Sequence, residues 1–308
     1  RIAQLALIHP AGTCAPIAEA GWPVPNESRD GWWSGLPYPL YDMRPQGYLG
    51  RQLARAEHRQ FNVSANPEEW SDDDVMHVLS RIGSDVSGNL IVGNSAFERW
   101  QAGTVASPQA VLGKAAINRT YARLAAQAIA AGVPGSSAAG EFPKFPALRA
   151  LQGSDAPHVL VKFSGADGSP AVQRWSDLLV CEHLALECAA TLPGVAGARS
   201  RVIVGDGRTF LEVERFDRHG EHGRSPLVSL GTLDAALLGD GSSDWTRLAN
   251  RLNTAGLLGS DDLQRIDHLW WFGRLIANTD MHTGNLSFRP HGPPAALSLA
   301  PIYDMLPM

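Results

Sequence analysis

Lysine is almost missing from this 308-residue chain: Lys114, Lys144 and Lys162 are the only three among 26 basic residues, the rest being arginine. A chain that avoids lysine is expected to keep it where a compact, strongly hydrated point charge is needed. Cysteine is as rare. Cys14, Cys181 and Cys188 make no C-x-x-C pair and no disulfide framework, the pattern of a reducing compartment. Cys181 and Cys188 stand seven apart on an expected helix, a spacing read as packing and not as metal binding. No apolar run approaches the ~20 residues of a membrane helix, and no charged segment leads into an apolar signal core. A cytoplasmic protein without membrane association is therefore expected. A formal charge of −5 excludes a global bias towards nucleic acid or anionic membranes. The hydrolase pattern G-x-S-x-G is absent, as are internal repeats and long low-complexity linkers.

The apolar pattern supplies a coarse order of elements. Residues 1–50 are punctuated by Gly, Pro and Trp, which reads as short strands and turns. Ser71 ahead of Asp72, Asp73 and Asp74 reads as a helix N-cap, followed by the stripe Val75, Met76, Val78, Leu79 and Ile82. Residues 117–131 form an Ala-rich helix, stopped by the Gly/Ser-rich stretch 132–140. Lys144–Leu151 and His158–Phe163 read as paired strands. A helix over 173–191 is expected to present Trp175, Leu178, Leu179, Leu184, Leu186 and Cys188. Arg201–Val204 and Thr209–Glu214 read as a hairpin turning at Gly205-Asp206-Gly207, with helices near 229–238, 244–254 and 261–277.

The chemistry-bearing residues follow that order. Gly135–Lys144 is a small-residue loop before a strand, able to bring backbone N–H groups to phosphate oxygens, although it matches neither G-x-x-x-x-G-K-[ST] nor G-x-G-x-x-G. Lys162 interrupts an alternating strand among apolar neighbours, and a half-buried lysine needs a partner or a bound anion; the plain alternative is a lysine snorkelling from a strand edge. Glu182 on the next helix is its natural partner, with Glu187 the weaker choice. Phe210–Arg218 is an apolar strand running into charge, which reads either as a nucleotide hinge whose backbone groups and Phe216 would hold adenine or as a strand end with a surface Glu/Arg pair of little worth. Near the C-terminus come Asp280, His282 and Asn285, then Asp304. An Asp, an Asn five residues on, and a second Asp beyond a hairpin form the polar skeleton of phosphoryl transfer, with Asp280 orienting and deprotonating a hydroxyl while Asn285 and Asp304 hold Mg²⁺ on ATP phosphates. The plain alternative is a polar helix-to-strand turn. His282 is read as a phosphate or loop contact, or as a structural histidine. With one nearby histidine, no zinc site is expected.

Taken together, Val213–Arg218, Asn278–Asn285 and Leu299–Asp304, with the Ser136-Ser137 loop, Pro143-Lys144 and Pro45–Arg51, resemble the HipA family of bacterial serine/threonine kinases, the toxins of HipA–HipB-type toxin–antitoxin systems. The resemblance covers nearly the whole chain and is closest to the YjjJ-like branch, whose members carry a DNA-binding segment ahead of the kinase. It implies an α+β, two-lobed, protein-kinase-like fold: a strand-rich N-terminal subdomain over 1–130, a kinase N-lobe core over 131–217, and the start of a helical C-lobe over 218–308, truncated here. The start at Arg1 and the stop at Met308 are expected to mark a fragment of a longer protein. The resemblance implies ATP and Mg²⁺ as cofactors, Asp280 as the catalytic residue, Asn285 and Asp304 as metal ligands, and Lys162, Glu182, Glu214, Phe216 and His282 around the nucleotide. It also implies inhibitory autophosphorylation at Ser137, with Ser136 the alternative. The implied partners are a protein substrate, for which the translation machinery is the family's type, and a HipB-like antitoxin or fused DNA-binding segment outside this chain. A catalytically idle binding module on the same fold is the competing expectation.

Overall fold

The computed structural model describes residues 5–15, 35–103, 116–130, 141–151, 154, 156–291 and 297–307. The first unit contains β1 (Leu5–Ile8), β2 (Cys14–Ala15), α1 (Gly47–Phe61), α2 (Asp72–Ile82), β3 (Leu90–Val92) and α3 (Asn94–Gln101). Its sheet runs β2-β1-β3, with both pairings antiparallel. A reciprocal capping box starts α2: Ser71 Oγ accepts the Asp74 N–H at 3.1 Å, and Asp74 accepts the Ser71 N–H at 3.0 Å. The buried side of α2 is Val75, Val78 and Leu79, the i, i+3, i+4 set expected of an amphipathic helix. Among the described residues this unit is more helical than strand-rich, which corrects the sequence expectation. The reason lies in α1, whose buried positions are Tyr48, Gly50 and Ala54; two of the three are so small that their helical period barely registers.

The second unit holds α4 (Ile117–Ala130), β4 (Lys144–Leu148), β5 (His158–Phe163), α5 (Pro170–Ala189), β6 (Ser200–Gly205) and β7 (Arg208–Glu214). The sheet order is β4-β5-β7-β6, antiparallel throughout. Asp206 and Gly207, at φ 52° and 69°, make the tight β6–β7 turn, as two successive left-handed residues do in a two-residue hairpin. Because successive side chains alternate faces, Val159, Val161 and Phe163 pack on Tyr121 and Ala125 of α4, whereas Lys162 faces α5. On that second face Leu179 meets Leu211, Phe142 and Leu306. The buried face of α5 is Leu179, Glu182, Ala185, Leu186 and Ala189. Leu184 and Cys188, expected to pack, are instead exposed, because they lie off that 3–4 repeat.

The chain continues through β8 (Arg218–His219), β9 (Gly223–Arg224), β10 (Val228–Ser229), α6 (Leu230–Leu233) with a π-helical turn over Asp234–Leu238, α7 (Trp245–Thr254), α8 (Ser260–Leu275), β11 (Ser287–Pro290) and β12 (Leu297–Leu299). Trp245, Leu248, Leu252, Ile266, Leu269 and Phe288 form the core of this helical lobe. No helix among the described residues is long and apolar enough to cross a membrane. The α+β, two-lobed reading therefore holds.

One joint ties the first unit to the segment that follows β7. Arg215 and Arg218 reach Asp85 of the first unit at 2.7 and 2.8 Å. Arg218 also holds Asp217 at 2.6 Å, and the Gly88 N–H donates to Asp217 at 3.0 Å. Burial alone would raise the Asp217 pKa, but Arg215 and Arg218 outweigh it and hold the carboxyl down to about 2. On the arginine side, the surface Glu/Arg pair of the plain alternative is thus replaced by a buried network of Arg215, Asp217, Arg218 and Asp85.

Candidate functional site

The site is built where the two lobes face each other. Lys162 stands opposite Lys144 across the β4–β5 ladder, so the two project on the same side. The Lys162 Nζ donates to Glu182 Oε1 at 2.7 Å and also contacts Asp304 Oδ1. Glu182 is wholly buried and the Lys162 side chain 7% exposed, which is tolerable only for charges this closely paired. Burial works to discharge Lys162, yet the two carboxylates, Asp304 first, raise its pKa above the ordinary value. Asp304 is held down to about 2, Lys162 overcoming the upward push of burial. Glu182 is pushed up, first by burial and then by the Asp304 charge.

Asp304 sits at φ 50°, a left-handed conformation rare outside glycine. The stretch before it is pinned: the Ile302 N–H donates to Ala196 O at 2.8 Å and the Ala198 N–H to Ile302 O at 2.9 Å. Opposite, α8 ends through left-handed Ala277, and Asn278 Oδ1 accepts the Asp280 N–H at 3.0 Å. Asn285 Nδ2 donates to Asp280 O at 2.9 Å, which fixes its amide orientation and leaves its oxygen as an acceptor. The Gly284 N–H donates to His282 Nδ1 at 3.0 Å, and the Trp245 indole to His282 O at 3.2 Å; the histidine shapes the turn. The Tyr303 hydroxyl bridges Ser287 Oγ and Gly284 O, each at 2.6 Å, tying the Asp304 segment to the Asn285 turn.

Lys162, Glu182, Asp280, His282, Asn285 and Asp304 thus line one cleft of about 990 Å³. Glu214 and Phe216 are not among its lining residues. The Glu214 carboxylate turns to Arg201 at 3.1 Å and Arg199 at 3.7 Å, and Phe216 reaches the site only through its ring, 5.7 Å from that of Tyr303. Ser136 and Ser137 lie outside the described residues. Asp42 and Glu141 also line the cleft. Asp42 bonds to Ser229, 187 residues on, and Glu141 to the Tyr48 N–H, 93 residues back, contacts that no local pattern marks; the local pair of Glu141 is Lys144 at i+3.

Among the described residues no three His, Cys, Asp or Glu side chains form a metal cage. A cation at this cleft would rest on Asp304, on the Asn285 oxygen and on oxygens brought by a ligand. That hard-oxygen set, incomplete without a ligand, is the kind that Mg²⁺ takes beside phosphates. Two lysines on the facing strands and a cleft at the upper end of the ~300–1,000 Å³ usual for ligands fit a nucleoside triphosphate.

Residues 136–308 match the family of HipA-like C-terminal domains, and residues 1–101 match the YjjJ-like toxin middle domain. Toxin YjjJ of Escherichia coli (strain K12) is 37% identical over 309 residues, across 100% of this chain and 66% of that relative. The chain thus spans about two thirds of that relative's length. Two solved structures are more distantly similar. HipA of the Shewanella oneidensis MR-1 toxin–antitoxin system, solved with HipB and its operator DNA, has a TM-score of 0.47 at 16% identity, covering 84% of this chain and 65% of that one. The Helicobacter pylori proinflammatory kinase CtkA has a TM-score of 0.41 at 15% identity, covering 54% of each chain.

Proposed function

Because the chain belongs to the HipA-like family, with a YjjJ-like middle domain ahead of the HipA-like part, we propose that it is the catalytic portion of a toxin-type serine/threonine protein kinase using MgATP. The observation that carries this reading is the buried Lys162, held between Glu182 and Asp304 on a cleft that also presents Asp280 and Asn285. Lys162 binds the phosphates, and Glu182 keeps its amine charged and aimed. Asp280, whose carboxylate is exposed to the cleft, orients the substrate hydroxyl and takes its proton. Asn285 and Asp304 hold Mg²⁺, which when bound supplies charge neutralisation at the transferring phosphate. His282 holds the turn between Asp280 and Asn285, and the segment Glu214–Phe216 takes the adenine end.

Inhibitory autophosphorylation falls on Ser137, with Ser136 the alternative, because up to two negative charges on a phosphate-binding loop oppose ATP. The substrate is a protein hydroxyl. A HipB-like antitoxin, or a DNA-binding segment beyond residues 1–308, is the proposed regulatory partner, and the cytoplasm the proposed location. Mass spectrometry of full-length protein incubated with ATP tests the loop assignment: phosphate on Ser137 or Ser136 in the wild type and none in Asp280→Ala supports it, and an unmodified wild-type loop refutes it.

A catalytically idle binding module is the second reading. The contact that favours it is the Lys162–Asp304 pair, in which a cation of the protein itself occupies the candidate metal ligand. MgATP titration separates the two: an idle module binds weakly and is indifferent to Lys162→Met.

A further inference from the structure

We propose that the N-terminal unit braces the cleft across both lobes, with Asp42 and Glu141 as the two positioning residues; this rests on the MgATP reading above. Glu141 lies just before β4 and is gripped by α1 of the N-terminal unit. It accepts the Tyr48 N–H at 2.7 Å and Arg51 at 2.8 Å, and it holds Lys144 at 3.1 Å. The N-cap of α1, Gln46, contributes no side-chain bond of its own, so the Glu141 carboxylate caps this helix from another unit. The fit is close: at Gly47, φ 61°, a Cβ would fall 2.8 Å from Glu141 Oε1.

Asp42 makes the matching contact on the helical lobe. It accepts the Ser229 N–H and the Ser229 hydroxyl, each at 2.7 Å, and the Thr232 hydroxyl at 2.9 Å. These groups start α6. Asp42 is itself fixed, standing between Leu40 and Met43 in the core of the N-terminal unit. Asp42, Gly47, Glu141, Lys144, Ser229 and Thr232 all line the cleft. One packed body therefore holds the strand wall, through Glu141 just ahead of β4 and its partner Lys144, and the helical wall, through the start of α6. The Asp85–Arg218 joint anchors that body a third time, at β8. Loosening either carboxylate lets the walls part and the Lys144/Lys162 pair drift, while Asp280 keeps its own hydrogen bonds.

The test uses full-length protein, with a fluorescent N-methylanthraniloyl-ATP in Mg²⁺ as the binding probe and KM and kcat for transfer read in parallel. Glu141→Ala and Asp42→Ala should each weaken nucleotide binding about tenfold, the scale of one lost charge-assisted contact. kcat should change less than about twofold, a split that a general loss of folded protein would not give. The double variant should be little worse than either single one, because both release the same body. Glu141→Gln, which keeps an acceptor for Tyr48, should fall between, and Gly47→Ala should reproduce Glu141→Ala by displacing the carboxylate. Should Glu141→Ala lose folded yield, Arg51→Met probes the same contact from α1. Unchanged nucleotide affinity in Gly47→Ala and Arg51→Met overturns the brace and leaves the kinase reading standing. A wild type that binds no MgATP overturns both.

Discussion

Replacing Lys162 by Met removes the cation from between two carboxylates, and the cost should depend on pH in a particular direction. Breaking a buried ion pair by deleting one partner costs about 3–5 kcal/mol, because the remaining charge is left buried. Here the two survivors differ. The Asp304 side chain is 36% exposed and can turn to water, whereas Glu182 at 0% cannot. One stranded carboxylate puts the cost at the lower end, about 3 kcal/mol at pH 7. Glu182 escapes by taking up a proton, and burial has already pushed its pKa above the usual 4.5; without Lys162 it rises further. In the variant, folded Glu182 then keeps a proton that the unfolded chain loses near pH 4.5, so stability falls as pH rises above that value. Going from pH 7 to pH 5 should recover up to about 2.7 kcal/mol, at 1.36 kcal/mol per unit. Urea unfolding at both pH values measures this directly. A deficit of the same size at pH 5 and pH 7 would refute the picture of a stranded, buried Glu182.

Other outcomes follow from the same contacts. Arg218→Met should lower stability by about 3 kcal/mol in urea unfolding, since it strips Asp85 and Asp217 of a shared partner. Arg218→Lys should restore little, because one ammonium cannot reach Asp85, Asp217 and the Val86 and Gly88 carbonyls together. Asp217 and Asp304 are each depressed from 3.8 to about 2. The stability they contribute is complete above pH 3.8 and is lost as pH falls towards 2, so circular dichroism should find the acid transition below about pH 4 and not near pH 5. Tyr121→Phe removes a donor from buried Glu212, whose Oε2 already has no partner. It should cost about 1–3 kcal/mol and leave MgATP binding unchanged, as this pair lies on the α4 face of the sheet.

Local signals carried the elements around the site. His158–Phe163 is a strand over its expected bounds, and the Ser71 cap, the β6–β7 hairpin and the helix leading into Asn278 stand where their patterns place them. Glu182, rather than Glu187, meets Lys162 because only position 182 shares a helix face with Leu179 and Leu186. What the sequence hides is long-range. Arg215 and Arg218 look like surface charges until Asp85, some 130 residues earlier, is brought against them. The contacts of Asp42 with Ser229 and of Glu141 with Tyr48 carry no local mark for the same reason, and the helix α1 is muted by Gly50 and Ala54. Short patterns report which face of a strand or helix is buried, but they cannot report which distant backbone groups a carboxylate will find.

Phosphate transfer in this cleft is proposed to need Asp280 as the base for the substrate hydroxyl. Full-length wild type and Asp280→Ala, incubated with γ-labelled MgATP, test it most directly when nucleotide binding is titrated on the same samples. Label should appear on protein hydroxyls in the wild type, at least 10²-fold less in Asp280→Ala, with equal MgATP affinity in the two. Equal labelling of both proteins, or tight MgATP binding with no transfer by the wild type, would contradict it.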